Sequence, residues 1–437
     1  MTKNLRVLID GAEIGTMMQN IHGKFEFAYD DAWRASPAAT PLSMSMPLDQ
    51  RMHANEAVAP YLWGLLPDNE LTLIQLGRRY GVSSGNPFAL LGARGEDLQG
   101  AVQMVPADKV AGLQKRKGVT RLNADALAER FRALMRDPSA TDFTTDGGKF
   151  SLAGAQRKLT LSLTNGRWGE PRGRTPSTHI LKPNIEGLPG QVYNEMFCLR
   201  LAPLLGLPAP LTWVERFGAA EVIVVERFDR MRLKGTQRLP LTKSGGEVHR
   251  VHQEDMCQAL KVLPANKYQR DGGPGMQQIM QLLSGSAEPS TDRDRFMRAC
   301  VYNYVIGASD AHAKNYSILL TSGGLFRLAP LYDLASWLPY SQRRRDSKLA
   351  MSVDGHYEYD GLLPRHWEAT ARKCSYDPHR LLGHVRDLIG RLPDVCDELR
   401  GVCKQEGLPD GELTPLVKLL KDRVAQLRKT YGAEAAA

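Results

Sequence analysis

The stretch "GASDAHAKN", residues 307–315, follows the apolar run "FMRACVYNYVI", residues 296–306, and carries an aspartate, a histidine, a lysine and an asparagine. The apolar run predicts a buried helix, and Gly307 is a typical residue at a helix C-terminus. A solvated turn after the capped helix is one interpretation of the polar residues. A functional loop is the other, and the neighbouring segments decide between them.

Asp310 and Asn315 are five residues apart. This is the spacing of the D-x-x-x-x-N catalytic loop of protein kinases, in which the aspartate accepts a hydroxyl proton and the asparagine binds magnesium. The following segments, "YSILL", "TSGG" and "LFRLAPLYD", predict a β-hairpin that brings Asp333 back eighteen residues after Asn315. Asp333 would supply the second oxygen ligand that a kinase needs for magnesium. An aspartate that caps the next segment is the alternative.

Upstream, the predicted strand "THILK" ends at Lys182, and Glu195 lies on the predicted helix "QVYNEMFCLRLAPLLG". In kinases a strand lysine contacts the nucleotide phosphates and a helix glutamate orients it. Either residue alone is more often a surface charge, but their order before Asp310 favours the kinase interpretation. "AEVIVVERFDR" predicts an apolar strand whose end would be the hinge that pairs with adenine, at Glu226, Arg227 and Phe228. A buried central strand is compatible with that role.

The phosphate-binding loop departs from the kinase pattern, because no G-x-G-x-x-G occurs. "DGGKFSLAGAQRKLTL", residues 146–161, instead carries three glycines before a predicted strand, with Arg157 and Lys158 next to them. Backbone amides in such a turn can bind phosphate oxygens. The pattern alone predicts only a turn.

The composition is that of an ordinary globular protein: 437 residues, 42% hydrophobic and 24% charged, long enough for two or three subdomains. Its six cysteines include no C-x-x-C pair, which argues against a disulfide framework and a zinc site. The sequence shows no secretory signal or membrane-spanning run, so we expect a cytoplasmic protein. The formal charge of +9 favours an anionic partner.

The order of predicted elements indicates an α+β protein with a kinase-like two-lobed fold, in which a β-rich lobe precedes a helical lobe. "RVLIDGAEIGTM" predicts a hairpin around Asp10 and Gly11 in an additional N-terminal subdomain. We therefore expect an N-terminal β-containing subdomain at 1–110, the rest of the N-lobe at 111–250 and a helical C-lobe at 251–437.

Longer motifs resemble one family. "SLAGAQRK", "THILK", "VERFDR", "QEDMCQAL", "DGGPG", "GASDAHAKNYS" and "LAPLYDLAS", together with the N-terminal "PLSMSMPL" and "LLPDN", are similar to the HipA family of bacterial serine/threonine kinase toxins. The resemblance runs from about residue 5 to the C-terminal helices. It implies a two-lobed kinase fold and an ATP- and Mg²⁺-dependent phosphotransferase.

The resemblance also implies roles for individual residues. Asp310 would be the proton acceptor, Asn315 and Asp333 the magnesium ligands, and Lys182 a phosphate contact. Ser151 matches a serine that family members phosphorylate on themselves, which ejects the loop and silences the kinase; an ordinary turn hydroxyl is the alternative. Further nucleotide contacts are implied at Ala153, Gly154, Ala155, Gln156, Arg157 and Lys158 of the phosphate loop, at Glu226, Arg227 and Phe228 of the hinge, and at His312, Lys314 and Tyr332.

As a family member, the chain would be the toxin of a type II toxin–antitoxin module. It would arrest growth by phosphorylating a translation protein such as an aminoacyl-tRNA synthetase, and a DNA-binding HipB-like antitoxin would neutralise it and bring it to operator DNA. Ala308 and Ser309 replace the His-Arg that precedes the catalytic aspartate of ordinary protein kinases. Control by a phosphorylated activation loop therefore has no obvious acceptor arginine, and self-phosphorylation at Ser151 is the candidate.

Two other functions remain open from the sequence. A kinase-like co-repressor without catalysis would use the positive charge and the basic stretch "QRRRDSK", residues 342–348, along DNA, although a solvated loop is the simpler interpretation of that stretch. A small-molecule phosphotransferase would use the same lobes and metal ligands, because Asp310 chemistry does not distinguish a sugar hydroxyl from a serine hydroxyl.

Overall fold

The computed structural model describes residues 3–137, 156–340 and 348–432. The chain forms two compact units. The first unit comprises Met1–Pro183, Glu215–Ala265 and Ser317–Phe326, and the second comprises Asn184–Val214, Asn266–Tyr316 and Arg327–Ala437. Each unit thus combines segments that are far apart in sequence. The three consecutive domains expected from the sequence remain a prediction.

Helices and strands both occur throughout the described residues, and the predicted α+β class is confirmed. The helices are α1 (Asp31–Arg34), α2 (Asn55–Gly64), α3 (Glu70–Tyr80), α4 (Pro87–Arg94), α5 (Val110–Lys115), α6 (Ala124–Arg136), α7 (Gln191–Leu204), α8 (Met256–Ala259), α9 (Met276–Leu283), α10 (Pro289–Ile306), α11 (Pro364–Lys373), α12 (Pro378–Gln405) and α13 (Asp410–Tyr431). The strands are β1 (Lys3–Ile9), β2 (Ala12–Gln19), β3 (Phe25–Tyr29), β4 (Met52–His53), β5 (Val102–Val105), β6 (Val119–Arg121), β7 (Leu159–Thr164), β8 (Arg167–Pro171), β9 (His179–Pro183), β10 (Thr212–Phe217), β11 (Ala220–Glu226), β12 (Arg230–Lys234), β13 (Gln237–Leu239), β14 (Glu247–Arg250), β15 (His252–Asp255), β16 (Ser317–Leu320), β17 (Phe326–Leu328), β18 (Lys348–Val353) and β19 (His356–Glu358).

A five-stranded sheet in the order β4-β3-β2-β1-β5 opens the first unit. The predicted hairpin between β1 and β2 is confirmed: Asp10 and Gly11 at its turn have φ values of 44° and 85°. Both values are positive, as a two-residue type I′ turn requires. Residues of this sheet and of α2 and α4 build one apolar core that includes Val7, Phe27 and Leu62.

A six-stranded sheet in the order β10-β11-β9-β7-β8-β6 carries the predicted lysine strand and hinge strand. In β11, Val222, Ile223 and Val224 are fully buried, as suits β-branched residues in a central strand. Ile223 lies opposite Lys182 in the antiparallel β9–β11 ladder. The two predicted strands are therefore direct neighbours.

Helices dominate the second unit. The second half of α10, from Phe296 to Ile306, is almost entirely buried, which confirms the helix expected before the polar stretch. Arg423 of α13 is also buried, and its guanidinium donates hydrogen bonds to the carbonyls of Tyr304 and Val305 at 2.9 to 3.1 Å. These bonds occupy carbonyl groups that the last turn of a helix leaves without intrahelical partners. The end of α10 is thereby held in place.

Two further properties agree with the sequence. The six cysteines, all within the described ranges, are buried and form no disulfide among themselves. Within the same ranges, no helix is both long enough and apolar enough to cross a membrane.

Candidate active site

The polar stretch begins at a helix cap. Gly307 has φ 70°, a left-handed value, and the N–H of Ala308 donates to the carbonyl of Asn303 at 2.8 Å. A Cβ atom on residue 307 would also lie 3.0 Å from the side chain of Leu338. Glycine is favoured here for its backbone freedom and its small size. The helix cap predicted at Gly307 is therefore present, and the function of the loop that follows it remains a prediction.

The loop after the cap is closed by Asn315. Its side-chain Nδ2 donates to the main-chain carbonyl of Asp310 at 2.6 Å, and its backbone N–H donates to the carbonyl of His312 at 2.9 Å. Because only the amide nitrogen can donate to a carbonyl, the bond fixes which way the side-chain amide points. Oδ1 of Asn315 is then the side-chain atom that could coordinate a metal ion.

The carboxylate of Asp310 lies at the surface, with 69% of its side chain exposed. Its Oδ1 accepts a hydrogen bond from the hydroxyl of Tyr268. His312 Nε2 is 3.7 Å from the same oxygen, which is beyond hydrogen-bonding distance. His312 itself is buried, and its ring packs edge-on against the ring of Tyr268 with centroids 4.9 Å apart.

Three hydrogen bonds attach the segment around Asp333 to this loop and to the end of α10. The hydroxyl of Tyr332 donates to the carbonyl of Lys314 at 2.7 Å, the hydroxyl of Ser336 donates to that of Ile306 at 2.6 Å, and the N–H of Trp337 donates to that of Gly307 at 2.9 Å. Asp333 has φ 52°, an uncommon value for a residue with a side chain. The segment is thus fixed on both sides of Asp333, as a metal ligand requires.

Helix α7 holds the same segment. The side chain of Asn194 donates to the carbonyl of Ser336 at 2.7 Å and accepts from its N–H at 2.9 Å. Glu195, the next residue, is buried and accepts from the side chain of Gln191 at 2.9 Å. The sequence analysis singled out Glu195 as a candidate site residue, but it assigned no contact to Asn194.

The donor set around the loop fits a magnesium ion. An amide oxygen from Asn315 and a carboxylate from Asp333 are the hard oxygen ligands that Mg²⁺ prefers. No group of three or more His, Cys, Asp or Glu side chains suited to a metal occurs in residues 3–137, 156–340 and 348–432. A magnesium ion held here would therefore take its remaining ligands from phosphate and water, which is usual for this ion.

The phosphate contacts predicted on β9 and in the phosphate loop belong to the first unit, whereas those predicted at His312 and Lys314 belong to the second. Lys182 and Lys158 are both about 95% buried, at 5% and 4% exposure. Arg157 donates to the carbonyl of Met135 at the end of α6 at 2.7 Å, and Gln156 donates to the carbonyl of Pro183 at 3.4 Å. Because Glu195 belongs to the second unit, the ion pair expected between it and Lys182 remains a prediction.

In the predicted hinge, Arg227 makes hydrogen bonds through both its backbone and its side chain. The N–H of Arg227 donates to Thr178 and its carbonyl accepts from Arg230, at 2.9 and 3.2 Å. Its guanidinium donates to the carboxylate of Asp229 at 2.6 and 2.9 Å. The backbone and the guanidinium of Arg227 thus both make hydrogen bonds within the unit, and the pairing of Glu226, Arg227 and Phe228 with adenine remains a prediction. Burial raises the pKa of the Glu226 carboxyl.

Several predicted residues lie outside the described ranges. These are Ser151, Ala153, Gly154 and Ala155 of the phosphate loop and residues 342–347 of the basic stretch. Their assigned roles rest on the sequence.

Comparison with known families matches the HipA N-terminal domain at residues 5–105 and the HipA-like C-terminal domain at residues 150–396. The chain belongs to the HipA family. It is 36% identical over 398 residues to the putative kinase Y4mE of Sinorhizobium fredii, covering 90% of each chain. It is 29% identical over 388 residues to the serine/threonine-protein kinase toxin HipA of Shewanella oneidensis, covering 86% of this chain and 84% of that protein.

The fold agrees with a solved HipA structure. A Shewanella oneidensis chain from a complex of HipA, HipB and operator DNA superposes with a TM-score of 0.81 at 25% identity, covering 99% of this chain and 100% of that one. The predicted kinase-like fold is confirmed by this likeness. The chain is a serine/threonine-protein kinase: one of these relatives is named a serine/threonine-protein kinase toxin and the other a putative kinase.

The sequence missed two residues that the structure brings to this site. Tyr268 lies 42 residues before Asp310 and contacts its carboxylate, and Ser336 lies 142 residues after its partner Asn194. Neither contact leaves a spacing signal, because residues so far apart in sequence meet only through packing. The aromatic residue before "DGGPG" was the available clue to Tyr268.

Proposed function

We propose that this chain is an ATP- and Mg²⁺-dependent kinase that phosphorylates serine or threonine and acts as the toxin of a toxin–antitoxin module. The observation that carries the proposal is the closed loop in which Asn315 bonds the carbonyl of Asp310, with the Asp333 segment attached to it through Tyr332 and Ser336. This arrangement supports Asp310 as the proton acceptor and Asn315 and Asp333 as the oxygen ligands, because hydrogen bonds join the segments that carry them. The kinase toxin among the relatives supports it.

The residues then divide the reaction between them. Asp310 orients the acceptor hydroxyl and takes its proton. Asn315 Oδ1 and the Asp333 carboxylate would hold magnesium, which when bound neutralises charge on the transferred phosphoryl group. Lys182 contacts the phosphates, as do residues 153–158 together with His312 and Lys314. Tyr332 borders the same site, and the hinge at Glu226, Arg227 and Phe228 pairs with adenine.

Transfer of labelled phosphate from ATP tests this assignment. The purified chain is expected to label itself, and Asp310→Ala is expected to slow labelling by about 10² to 10⁴-fold, the usual contribution of a general base. Asp397→Ala is the control, because Asp397 is an exposed aspartate of α12 paired with Lys421. An unlabelled parent chain, or full labelling of Asp310→Ala, would contradict the proposal.

Regulation is proposed to occur at Ser151, whose phosphorylation would silence the kinase. Ser151→Ala should lose self-labelling at that site, still phosphorylate another acceptor and arrest growth more strongly than the parent. Growth arrest and labelling both equal to those of the parent would refute this switch.

The partners are proposed from the relatives. A complex of a relative contains HipA, HipB and operator DNA, which supports a HipB-like antitoxin for this chain and operator binding and autorepression through that antitoxin. The isolated chain should give no specific shift of operator DNA, whereas the complex should. An aminoacyl-tRNA synthetase is the proposed substrate. Phosphosites that appear in cells with the parent chain and not with Asp310→Ala would identify it or replace it.

A further inference from the structure

Tyr268 connects a neighbouring segment to the catalytic loop at more than one point. Its hydroxyl donates to Oδ1 of Asp310, and its ring packs on the ring of His312. The carbonyl of Lys267, the preceding residue, accepts from the N–H of Ala313 at 3.3 Å. The residues around Tyr268 and the loop therefore form one hydrogen-bonded frame.

The segment that carries Tyr268 is itself fixed. The carbonyl of Tyr268 accepts from the N–H groups of Asp271 and Gly273, at 3.0 and 2.9 Å. Gly272 closes this turn with φ 89°, a left-handed value at which glycine is favoured. The cations of Lys267 and Arg270 lie 5.7 and 5.3 Å from the ring centre of Tyr268. Contacts other than the hydrogen bond to Asp310 thus also hold the Tyr268 side chain and its backbone in place.

The contact matters because Asp310 is exposed. A carboxylate that is 69% exposed would otherwise turn freely about its side-chain torsions. Among the side chains that the structure describes, the Tyr268 hydroxyl is the one that hydrogen-bonds this carboxylate. Ordinary protein kinases have His-Arg immediately before the catalytic aspartate, whereas this chain has Ala308 and Ser309. Among the described residues, the orientation of the Asp310 carboxylate thus depends on the hydrogen bond from Tyr268.

We propose that Tyr268 is a positioning residue that holds Oδ1 of Asp310, so that Oδ2 is the oxygen presented to the acceptor hydroxyl. This inference rests on the proposed function. In the transfer step, the acceptor oxygen forms a bond to the γ-phosphorus of ATP and the bond from that phosphorus to the departing ADP oxygen breaks. The proton of the acceptor hydroxyl moves to Oδ2 of Asp310. Tyr268 keeps its own proton throughout.

Tyr268→Phe tests the inference because it removes the hydroxyl and keeps the ring. The rate of phosphate transfer from labelled ATP should fall about 10- to 100-fold, as expected for the loss of a hydrogen bond to a charged group. The KM for ATP and the affinity for a fluorescent ATP analogue should stay at the parent values. The unfolding temperature should also stay, because this hydrogen bond lies at the surface.

Tyr376→Phe is the matched control. The Tyr376 hydroxyl donates to Oδ1 of Asp294 in the same unit, so this bond joins a tyrosine hydroxyl and an aspartate carboxylate, as the bond from Tyr268 to Asp310 does. Asp294 lies on α10 twelve residues before Ile306, or about 18 Å along the helix from the catalytic loop. Tyr376→Phe should therefore transfer phosphate at the parent rate.

The double variant separates positioning from a general structural effect. If Tyr268 acts through Asp310, adding Tyr268→Phe to Asp310→Ala should not change the residual rate. A further fall in the double variant would overturn the proposal, as would a drop in ATP affinity and unfolding temperature in Tyr268→Phe alone. A parent rate in Tyr268→Phe together with an inactive Asp310→Ala would overturn the positioning role and leave the proposed function standing. An active Asp310→Ala, or an inactive parent, would overturn both.

Discussion

Two carboxylates in the first unit of this protein and one in the second differ in how deeply they are buried and in how many partners they have. In the first unit, Asp97 and Asp229 lie in a buried charge cluster with three arginines, and the side chains of both are at most 3% exposed. In the second unit, the Asp310 carboxylate is 69% exposed and, among the residues that the structure describes, has one hydrogen bond, from Tyr268. The buried charge cluster consists of Asp97, Arg227, Asp229, Arg230 and Arg250.

The difference in burial matches a role in stability for Asp97 and Asp229 and the proposed role in phosphate transfer for Asp310. Asp229 accepts from Arg227 at 2.6 Å, from the N–H of Gly100 at 2.8 Å and from Gln253 at 3.0 Å. Burial alone raises the pKa of Asp229, but the charges of Arg227 and Arg230 more than reverse this and lower the pKa to about 2. Such a carboxylate has no oxygen left for a reaction. Asp310 is anchored at one oxygen and presents the other.

The largest expected effect is on phosphate transfer, from Asp333→Asn. Asparagine keeps the shape and tolerates the left-handed φ of 52° at this position, so the fold should be unchanged. It removes the negative charge that would hold magnesium. Transfer from labelled ATP should fall on the order of 10³-fold, similar to the loss of a main electrostatic group in an active site. Wild-type transfer in this variant would refute the metal assignment.

Asp354→Asn is the control for this substitution. Asp354 also has φ 52°, in the turn between β18 and β19, and its carboxylate pairs with Lys373 at 2.7 Å. The variant loses one surface ion pair, which contributes about 0 to 1 kcal/mol. It should transfer phosphate at the parent rate.

The sequence predicted the parts of the site that depend on short spacing. The five-residue distance from Asp310 to Asn315 corresponds to a real closed loop, and Gly307 is a real cap. The hairpin turn at Asp10 and Gly11 was also predicted from the sequence, because a tight turn requires particular residues at particular positions. Local rules suffice where partners are close in sequence.

The sequence did not predict the contacts between distant segments. Arg227 was read as part of the hinge, but its guanidinium also donates to the carbonyl of Leu98, 129 residues away. Charge and periodicity do not specify such a partner, because many pairings of one arginine with distant groups fit the same pattern. The hairpin of β16 and β17 was predicted, but the helical C-lobe expected at 251–437 overlooked three other short strands, β15, β18 and β19. Strands of three to six residues carry too few alternating positions to stand out.

The second effect in size is on stability, from Asp229→Ala in the buried charge cluster. Removing this carboxylate leaves the buried guanidinium groups of Arg227 and Arg230 with Asp97 as their remaining shared carboxylate. The free energy of unfolding should fall by about 3 to 5 kcal/mol, measured by urea denaturation. Asp397→Ala is the control, since its pair with Lys421 is exposed and should contribute about 0 to 1 kcal/mol. Equal losses in the two variants would remove the distinction between buried and exposed carboxylates.

Glu254 is a third kind of carboxyl group and gives the smallest expected effect. It is fully buried in β15 and is not part of the buried charge cluster, and its Oε1 accepts from the N–H of Met44 at 2.7 Å. Burial raises the pKa of Glu254 to about 8, although the bonds from Met44 and Ser43 partly oppose the shift. A raised pKa means that the folded state binds the proton more tightly than the unfolded chain. Stability from this group is therefore complete below about pH 4.3, the ordinary Glu pKa, and is lost as the pH rises through about 8.

Glu254→Gln should remove this dependence, because an amide stays neutral over the whole range. The free energy of unfolding of the parent should fall more steeply between pH 5 and pH 9 than that of the variant, measured by urea denaturation at each pH. Glu129→Gln on α6 makes the same change at an exposed salt bridge with Arg132 and should keep the parent slope. A Glu254→Gln slope equal to the parent slope would mean that Glu254 is ionised in the folded protein. Burial without a cation would then not be enough to keep a carboxyl group neutral here, and Glu254 and Asp229 would both be ionised in the folded protein.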